Sequence, residues 1–217
     1  MNYTSEAEAG ELICEYGRRV YAKGLVAGND GNLSCRIGEN EILITPTMES
    51  KGHLTPDMLV RLDLAGNILS GPRRPSSESK MHVGLYCENP NTGAVIHAHP
   101  PIATAFACRG ENIPATMLSE AIFTFGEELV VTPFAMPGTE EVPASVKPHA
   151  KTRRALLLGN HGALTWAATI KEAFFAMETL EQFCKIYLIS EVIIGSPTRI
   201  PTEKLKQLMA MWSSMWS

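Results

Sequence analysis

The segment Ala94-Val95-Ile96-His97-Ala98-His99-Pro100-Pro101 combines an apolar run with two histidines and two prolines. Its apolar first half predicts a strand, and the two prolines end that strand because proline lacks the N–H that a sheet requires. Side chains two residues apart on a strand point to the same face, so His97 and His99 share one space. Two imidazoles there indicate either part of a metal site or a hydrogen-bonded surface pair, and a metal site needs a third ligand.

The chain on either side of this strand shows helical and strand patterns. Periodic helices are predicted at Glu6–Ala22 and from the capping box at Thr169 to Gly195, and strands at Leu33–Ile37, Glu41–Thr45, Leu129–Phe134 and Ala155–Leu158. The order is helix, strands, helix, strands, helix, without an internal repeat or a long linker. We therefore expect one α/β domain over residues 1–217, with 201–217 as a C-terminal helical tail.

Composition excludes several functional classes. Lys and Arg number 19 against 23 Asp and Glu, a formal charge of -4, which argues against nucleic acid as a partner. No apolar run approaches the roughly 18–20 residues of a membrane span, and the N-terminal residues lack the regions of a signal peptide. The five cysteines are odd in number and widely spaced, as is typical of reduced thiols. We expect a cytoplasmic protein that is not bound to a membrane.

Two further side chains carry chemistry. His161 lies in a Gly-flanked turn after the strand Ala155–Leu158, where a sheet could place it beside His97 and His99, although alone it could be a turn histidine. Glu78 precedes a helical pattern, so we expect its carboxylate in the first helical turn. Helix capping is the structural alternative for such a glutamate.

Hydroxyl and amide donors form a second group. Ser76 and Ser77 lie where a helix N-cap is expected, and with the free N–H groups of that helix they could bind an anion without an arginine. Thr47 after one strand and Asn32 after the first loop offer donors of the same kind. Taken singly, each of these residues is an ordinary polar residue.

Five segments carry these residues, and together they resemble the class II aldolase/adducin family. They are Gly31-Asn32-Leu33-Ser34, Ile44-Thr45-Pro46-Thr47, Pro75-Ser76-Ser77-Glu78, His97-Ala98-His99-Pro100 and Asn160-His161-Gly162. Their order and approximate spacing match the family over most of the chain, from about Gly10 to Gly195. The resemblance implies a three-layer α/β/α domain with a central, largely antiparallel sheet. It also implies a homotetramer with active sites at subunit interfaces.

The resemblance further implies a role for each motif residue. His97, His99 and His161 would bind Zn²⁺, or Mn²⁺, Co²⁺ or Fe²⁺, and Glu78 would be the acid/base that also occupies the fourth metal position when substrate is absent. The substrate phosphate would be held by Asn32, Thr47, Ser76 and Ser77. The implied function is a zinc-dependent aldolase that cleaves a ketose 1-phosphate, such as L-fuculose 1-phosphate or a deoxypentulose phosphate, to dihydroxyacetone phosphate and an aldehyde. The alternatives are an epimerase, dehydratase or decarboxylase, or a non-catalytic adducin-like interaction module.

The sequence departs from the family's aldolases at three places. Met48 stands where they usually have glycine, which costs steric strain if the loop needs a positive φ. No tyrosine lies between Tyr86 and Tyr187, so Glu120 is the candidate for the second acid/base, with a solvated loop charge as the alternative. The apolar tail residues Met211, Trp212, Met215 and Trp216 are expected to pack on a neighbouring subunit or over the site.

Overall fold

A computed structural model describes residues 3–216, with the side chains described as far as Ser214. The helices are α1 Glu6–Ala22, α2 Ser79–Glu88, α3 Pro101–Ala107, α4 Ser119–Phe125, α5 Glu141–Val146, α6 Ile170–Tyr187 and α7 Thr202–Trp216. The strands are β1 Asn32–Gly38, β2 Glu41–Ile44, β3 Val60–Asp63, β4 Ile68–Ser70, β5 Ala94–Ala98, β6 Ile113–Pro114, β7 Glu128–Leu129, β8 Val131–Thr132, β9 Ala155–Leu158 and β10 Gly162–Ala167. None of these helices is long and apolar enough to cross a membrane.

Eight strands form one sheet in the order β4-β3-β2-β1-β5-β10-β9-β8. Every neighbouring pair is antiparallel except β8 with β9, so the predicted, largely antiparallel sheet is confirmed. Strands β6 and β7 form a separate two-stranded sheet. The strand that contains His97 is therefore central, flanked by β1 and β10.

Helices cover both faces of the sheet, which confirms the three-layer α/β/α architecture. Alternate residues of β5 show the division, because Ile96 packs in the core beneath α1 and α6 whereas Val95 packs in the core beneath α2 and α5. The capping box at Thr169 is present, and its side chain accepts a hydrogen bond from the Glu172 N–H. That arrangement starts α6, which lies along the sheet.

Strands β1 and β2 differ from their predicted bounds by one residue at one or both ends, and three other boundaries differ in ways that matter for the site or the sheet. Helix α2 begins at Ser79, so Glu78 is its N-cap residue and not part of its first turn, and its side chain caps no backbone group. The α-helix from Thr169 ends at Tyr187 and continues as a π-helix over Leu188–Ile194 before Gly195. The strand predicted at Leu129–Phe134 is divided into β7 and β8, because Val130 separates two short pairings with different partners.

Candidate metal centre

Three imidazole rings meet at one end of the central strands. His97 lies on β5, His99 lies one residue beyond its end, and His161 lies in the turn between β9 and β10. One nitrogen from each ring lies within 4.8 Å of the others, and the Nε2 atoms of His97 and His99 are 3.0 Å apart. The strand pairing of β5 with β10 brings the third histidine to the first two.

The turn that carries His161 depends on residues with unusual backbone freedom. Asn160 adopts a positive φ of 54°, a conformation that asparagine tolerates better than most residues. At Gly162 an added Cβ would lie 2.5 Å from Cδ2 of His99 and 2.6 Å from the carbonyl oxygen of Ala98. The close approach of this turn to β5 therefore requires glycine, and it sets where the His161 ring lies.

The hydrogen bonds orient two of the rings for cation binding. Nδ1 of His97 lies 2.9 Å from the carbonyl oxygen of Ala163, to which it can only donate, so its Nε2 is the nitrogen that faces the other rings. Nδ1 of His99 faces Oδ2 of Asp30 at 3.3 Å, so the Nε2 of His99 is the nitrogen that faces His97. Burial, followed by repulsion from His97, lowers the pKa of His161 to about 4, so that ring is neutral at pH 7.

Glu78 completes the cluster. Its Oε2 lies 3.1 Å from Nε2 of His97 and its Oε1 lies 3.3 Å from Nε2 of His161. Burial would raise the pKa of Glu78, but the neighbouring His97 and His161, together with a hydrogen bond from Asn32, outweigh burial and hold that pKa well below its usual range. The carboxylate is therefore ionised.

This arrangement fits a divalent cation. Nitrogen lone pairs that face one another beside a carboxylate repel unless a positive charge lies between them. Oε1 of Glu78 is also buried and accepts no hydrogen bond, which is costly for an ionised oxygen without a cation near it. Three imidazoles with one carboxylate form a donor set that suits zinc and similar borderline ions.

A buried chain of hydrogen bonds holds Glu78 from behind. Nδ2 of Asn32 donates to Oε2 of Glu78 at 2.9 Å, and Oδ1 of Asn32 lies 2.5 Å from Nε2 of His82. Nδ1 of His82 lies 2.7 Å from the Ser34 hydroxyl, which lies 2.8 Å from the Tyr86 hydroxyl. Because the carboxylate can only accept, every donor in the chain points towards Glu78, and His82 is a neutral ring that donates from Nε2. His82 thus contacts Asn32 and not Glu78, although it lies one helical turn from Glu78.

Replacing His82 by glutamine is expected to weaken the pH dependence of stability. Burial, followed by repulsion from His97, lowers the pKa of His82 from 6.5 to about 3. As the pH falls, His82 is therefore protonated in the unfolded chain before it is protonated in the folded chain. The folded chain loses stability as the pH falls below about 6.5. Near pH 5 this loss amounts to about 2 kcal/mol of unfolding free energy.

Urea unfolding of chelator-treated protein near pH 7.5 and pH 5 measures this effect. The wild-type chain should lose about 2 kcal/mol more than His82→Gln between the two pH values. The other buried histidines contribute to both proteins and cancel in the comparison. An equal loss in both proteins would contradict a neutral, buried His82.

A small polar cavity of about 140 Å³ lies beside the cluster. Its lining includes all four residues that the resemblance implies for phosphate binding, namely Asn32, Thr47, Ser76 and Ser77, and it also includes Glu78 and His99. An isolated pairing of Pro46 with Pro75 joins the two segments that supply the hydroxyls. The sequence-predicted donors are thus brought together next to the candidate metal ligands.

Met48 at the rim of this cavity has a φ of 63°, in the left-handed region, and its side chain is 76% exposed. A non-glycine residue in this conformation destabilises the folded chain by about 1–2 kcal/mol. Glycine relieves this strain, but its greater conformational entropy in the unfolded chain offsets about 0.5–1 kcal/mol of the gain. Met48→Gly is therefore expected to raise the unfolding free energy by up to about 1 kcal/mol. The control is Met48→Ala, which keeps Cβ and the strain. Chemical denaturation that shows the glycine variant to be less stable than the alanine variant would rule out a strained methionine.

Glu120 does not line this cavity. It is exposed at the start of α4 and borders a larger cavity of about 770 Å³, which also contacts α6.

In the tail, Trp212 packs on α4 of its own chain, since an added Cβ at Gly126 would lie 3.0 Å from the indole ring. The side chains of Met215 and Trp216 lie outside the described residues.

Asp30 and the hydrogen-bonded role of His82 were missed by the sequence reasoning. Asp30 lies within the turn-rich loop before β1, two residues ahead of Asn32, and its acidic side chain next to a candidate site residue was the available signal. For His82 the available signal was its spacing of four residues from Glu78, which places the two residues on one side of α2.

Comparison with known proteins places this geometry in a family. The family model described as "Class II Aldolase and Adducin N-terminal domain" matches residues 11–188. The 3-oxo-tetronate 4-phosphate decarboxylase of Haemophilus influenzae is 33% identical over 82% of this chain and 85% of its own. The 5-deoxy-D-ribulose 1-phosphate aldolase of Bacillus thuringiensis is 32% identical over 91% of this chain and 92% of its own.

A solved structure of an L-fuculose 1-phosphate aldolase superposes with a TM-score of 0.88 at 31% identity, covering 97% of this chain and 98% of that one. The motifs quoted from the sequence, the three-layer fold and these matches agree, and the chain belongs to the class II aldolase and adducin family.

Proposed function

We propose that this chain is a metal-dependent aldehyde-lyase that cleaves a ketose 1-phosphate to dihydroxyacetone phosphate and an aldehyde. The observation that carries this proposal is the convergence of three imidazoles and an ionised carboxylate beside a cavity lined with hydroxyl and amide donors. A sugar phosphate would use both features, the histidine and carboxylate cluster for its carbonyl group and the polar cavity for its phosphate group. The aldolase from Bacillus thuringiensis supports the reaction class.

His97, His99 and His161 would hold the cation, with Glu78 in the fourth position when substrate is absent. Zinc is the proposed ion, and manganese, cobalt or iron would accept the same ligands. A divalent cation bound there supplies Lewis-acid chemistry, polarising a carbonyl oxygen and stabilising the negative charge that develops on it. The chain's own residues supply orientation and proton transfer.

Glu78 would hold the proton that moves to or from the substrate carbon where the bond breaks. Its buried Oε1 has no hydrogen-bond partner, whereas its Oε2 is fixed by Asn32, so one oxygen is held and the other is available for a proton. Thr47, Ser76 and Ser77 would bind the phosphate at a distance from the breaking bond. Binding energy at the phosphate then fixes the orientation of the reacting carbons.

Glu120 is proposed as the second acid/base, which takes the hydroxyl proton as the carbon–carbon bond breaks. It lies on a cavity other than the one beside Glu78, so it would act on the site of a neighbouring subunit. This assignment goes with a proposed homotetramer of single-domain subunits with active sites at the interfaces. We also propose a cytoplasmic protein that binds neither nucleic acid nor membranes.

Decarboxylation is the second candidate, because the relative from Haemophilus influenzae with 33% identity is a 3-oxo-tetronate 4-phosphate decarboxylase. The two reactions share their chemistry, since loss of an aldehyde or of carbon dioxide leaves the same kind of enediolate, which then takes a proton on carbon. A positioned carboxylate and a phosphate pocket serve both. The departing group is the difference between them.

Metal content and product analysis test the proposal. Protein purified without added metal is measured by mass spectrometry, and dihydroxyacetone phosphate release is assayed with ketose 1-phosphates and, separately, with 3-oxo-tetronate 4-phosphate. Stoichiometric metal with release from a ketose 1-phosphate supports the aldolase. If dihydroxyacetone phosphate is released only from 3-oxo-tetronate 4-phosphate, together with carbon dioxide, the decarboxylase replaces the aldolase as the proposed function. Protein that neither contains nor binds a divalent metal would overturn both proposed functions.

A further inference from the structure

Lys51 is a buried cation at the edge of the proposed phosphate cavity. Its side chain is 1% exposed, yet it belongs to the lining of the cavity, together with Thr47, Ser76 and Ser77. Lysine is rarely buried to this extent unless a partner compensates its charge. The surroundings of Lys51 therefore indicate what it binds.

The two hydrogen bonds of the Lys51 ammonium go to neutral backbone groups. Nζ donates to the carbonyl oxygen of Asn29 at 2.8 Å and to the carbonyl oxygen of Glu49. An ammonium group has three N–H donors, so one remains for another acceptor. The two carbonyls belong to the loops on either side of the cavity, before β1 and after β2, and Lys51 joins those loops.

No carboxylate forms an ion pair with Lys51 among the residues that the structure describes. The nearby acids are engaged elsewhere, since Glu49 pairs with Arg73 and Asp30 lies 3.3 Å from Nδ1 of His99. Burial lowers the pKa of Lys51 to about 8, an effect that Asp30 and Glu49 only partly oppose. A buried positive charge with a free donor thus borders a cavity that has the size of a small anion.

The fold fixes the position of Lys51 from the other side. Its backbone packs on α1, where an added Cβ at Gly17 would lie only 2.7 Å from the Lys51 carbonyl oxygen. An added Cβ at Gly52 would likewise lie 2.7 Å from the Tyr21 ring. This turn therefore sits directly against α1, which fixes the backbone from which the Lys51 side chain extends to the cavity.

We propose that Lys51 is the cationic binding residue for the substrate phosphate, donating its third N–H to a phosphate oxygen and compensating its negative charge. The inference rests on the proposed function, because it takes the cavity of Thr47, Ser76 and Ser77 to be the phosphate pocket. Hydroxyl groups alone supply hydrogen bonds without charge, whereas a buried ammonium favours the dianionic phosphate over a neutral sugar alcohol. Lys51 thus makes the site specific for phosphorylated substrates.

Titration calorimetry with inorganic phosphate on the full chain, before and after chelator treatment, tests this role. Lys51→Met keeps the approximate length of the side chain and removes its charge. Loss of a charge-assisted hydrogen bond is expected to raise the dissociation constant for phosphate by about 10- to 100-fold. The matched control is Arg73→Met, which removes an exposed cation from the neighbouring loop between β4 and α2 and should leave phosphate affinity within about twofold. Should Lys51→Met fail to fold, Lys51→Gln retains a donor for the loops and is expected to show the same loss.

The outcomes separate this inference from the proposed function. If wild-type protein binds phosphate and the Lys51 variants bind it equally well, Lys51 only joins the loops and the inference is wrong. If Arg73→Met loses as much affinity as Lys51→Met, the overall positive charge of the two neighbouring loops accounts for the binding, and the inference is also wrong. If the wild-type protein binds no phosphate, the phosphate pocket itself fails, and the proposed function fails with it.

Discussion

Replacement of Glu78 by glutamine is expected to lower kcat by about 10²- to 10⁴-fold, the usual contribution of a positioned acid/base. Glutamine has the same shape and can still accept the hydrogen bond from Asn32, but it cannot carry a proton at the pH of the assay. The three imidazoles remain in place, so assembly should be unchanged, and metal added to saturation compensates for the loss of the fourth ligand. The loss therefore appears in kcat at full metal occupancy, and metal analysis of the same sample establishes this.

The control for this variant is Glu140→Gln, which makes the same chemical change just before α5. Glu140 is exposed and pairs with Lys80 at 2.7 Å, and exposed pairs of this kind contribute little to stability or function. Its kcat should remain within about twofold of wild type. If Glu78→Gln retained activity close to that of this control, Glu78 would not be the residue that transfers the proton.

Local patterns predicted the parts of this fold that depend on short-range chemistry. Helix α1 and strand β9 have the predicted bounds, because an apolar period and its flanking turn residues determine each of them. The convergence of His97 with His99 follows from strand alternation alone. His161 could be added only as a candidate, because its approach depends on the pairing of β5 with β10, which is a long-range contact.

The surroundings of the site were harder to predict, for a physical reason. Ser34 and His82 are 48 positions apart in the chain, and their hydrogen bond exists only because β1 lies under α2. The N-cap position of Glu78 depends on where the Pro46 and Pro75 segments meet, which no local propensity encodes. The resemblance supplied roles for motif residues, whereas the network behind them became visible only in three dimensions.

The left-handed backbone of Met48 was only partly predictable, because the residue type is given by the sequence and the backbone conformation by the structure. The sequence showed methionine where glycine is usual in the family's aldolases, so strain was predictable on the condition that the loop turns through a positive φ. The structure supplies that condition, with φ at 63°. A backbone outlier beside a candidate site motivates a functional hypothesis, and the Met48→Gly comparison tests the strain on which that hypothesis depends.

Substitution of His161 by alanine is expected to weaken metal binding by at least about 100-fold, since even the partners of metal ligands contribute 10- to 100-fold to affinity. Alanine removes one of three nitrogen ligands, and Oε1 of Glu78 loses the ring that lies 3.3 Å away. The remaining two imidazoles belong to β5 and its end, so they should keep their positions. The variant is therefore expected to fold and to be inactive at trace metal concentrations.

Competition with a chromophoric chelator measures the affinity of this variant, and His53→Ala is its control. His53 is exposed and lies against the Tyr21 ring at a centroid distance of 5.9 Å. It does not belong to the buried histidine cluster. The control should bind metal like the wild-type chain and retain activity. If His161→Ala held one equivalent of metal as tightly as the control, the ion would sit elsewhere, and the chemistry assigned to the three histidines would have to be abandoned with it.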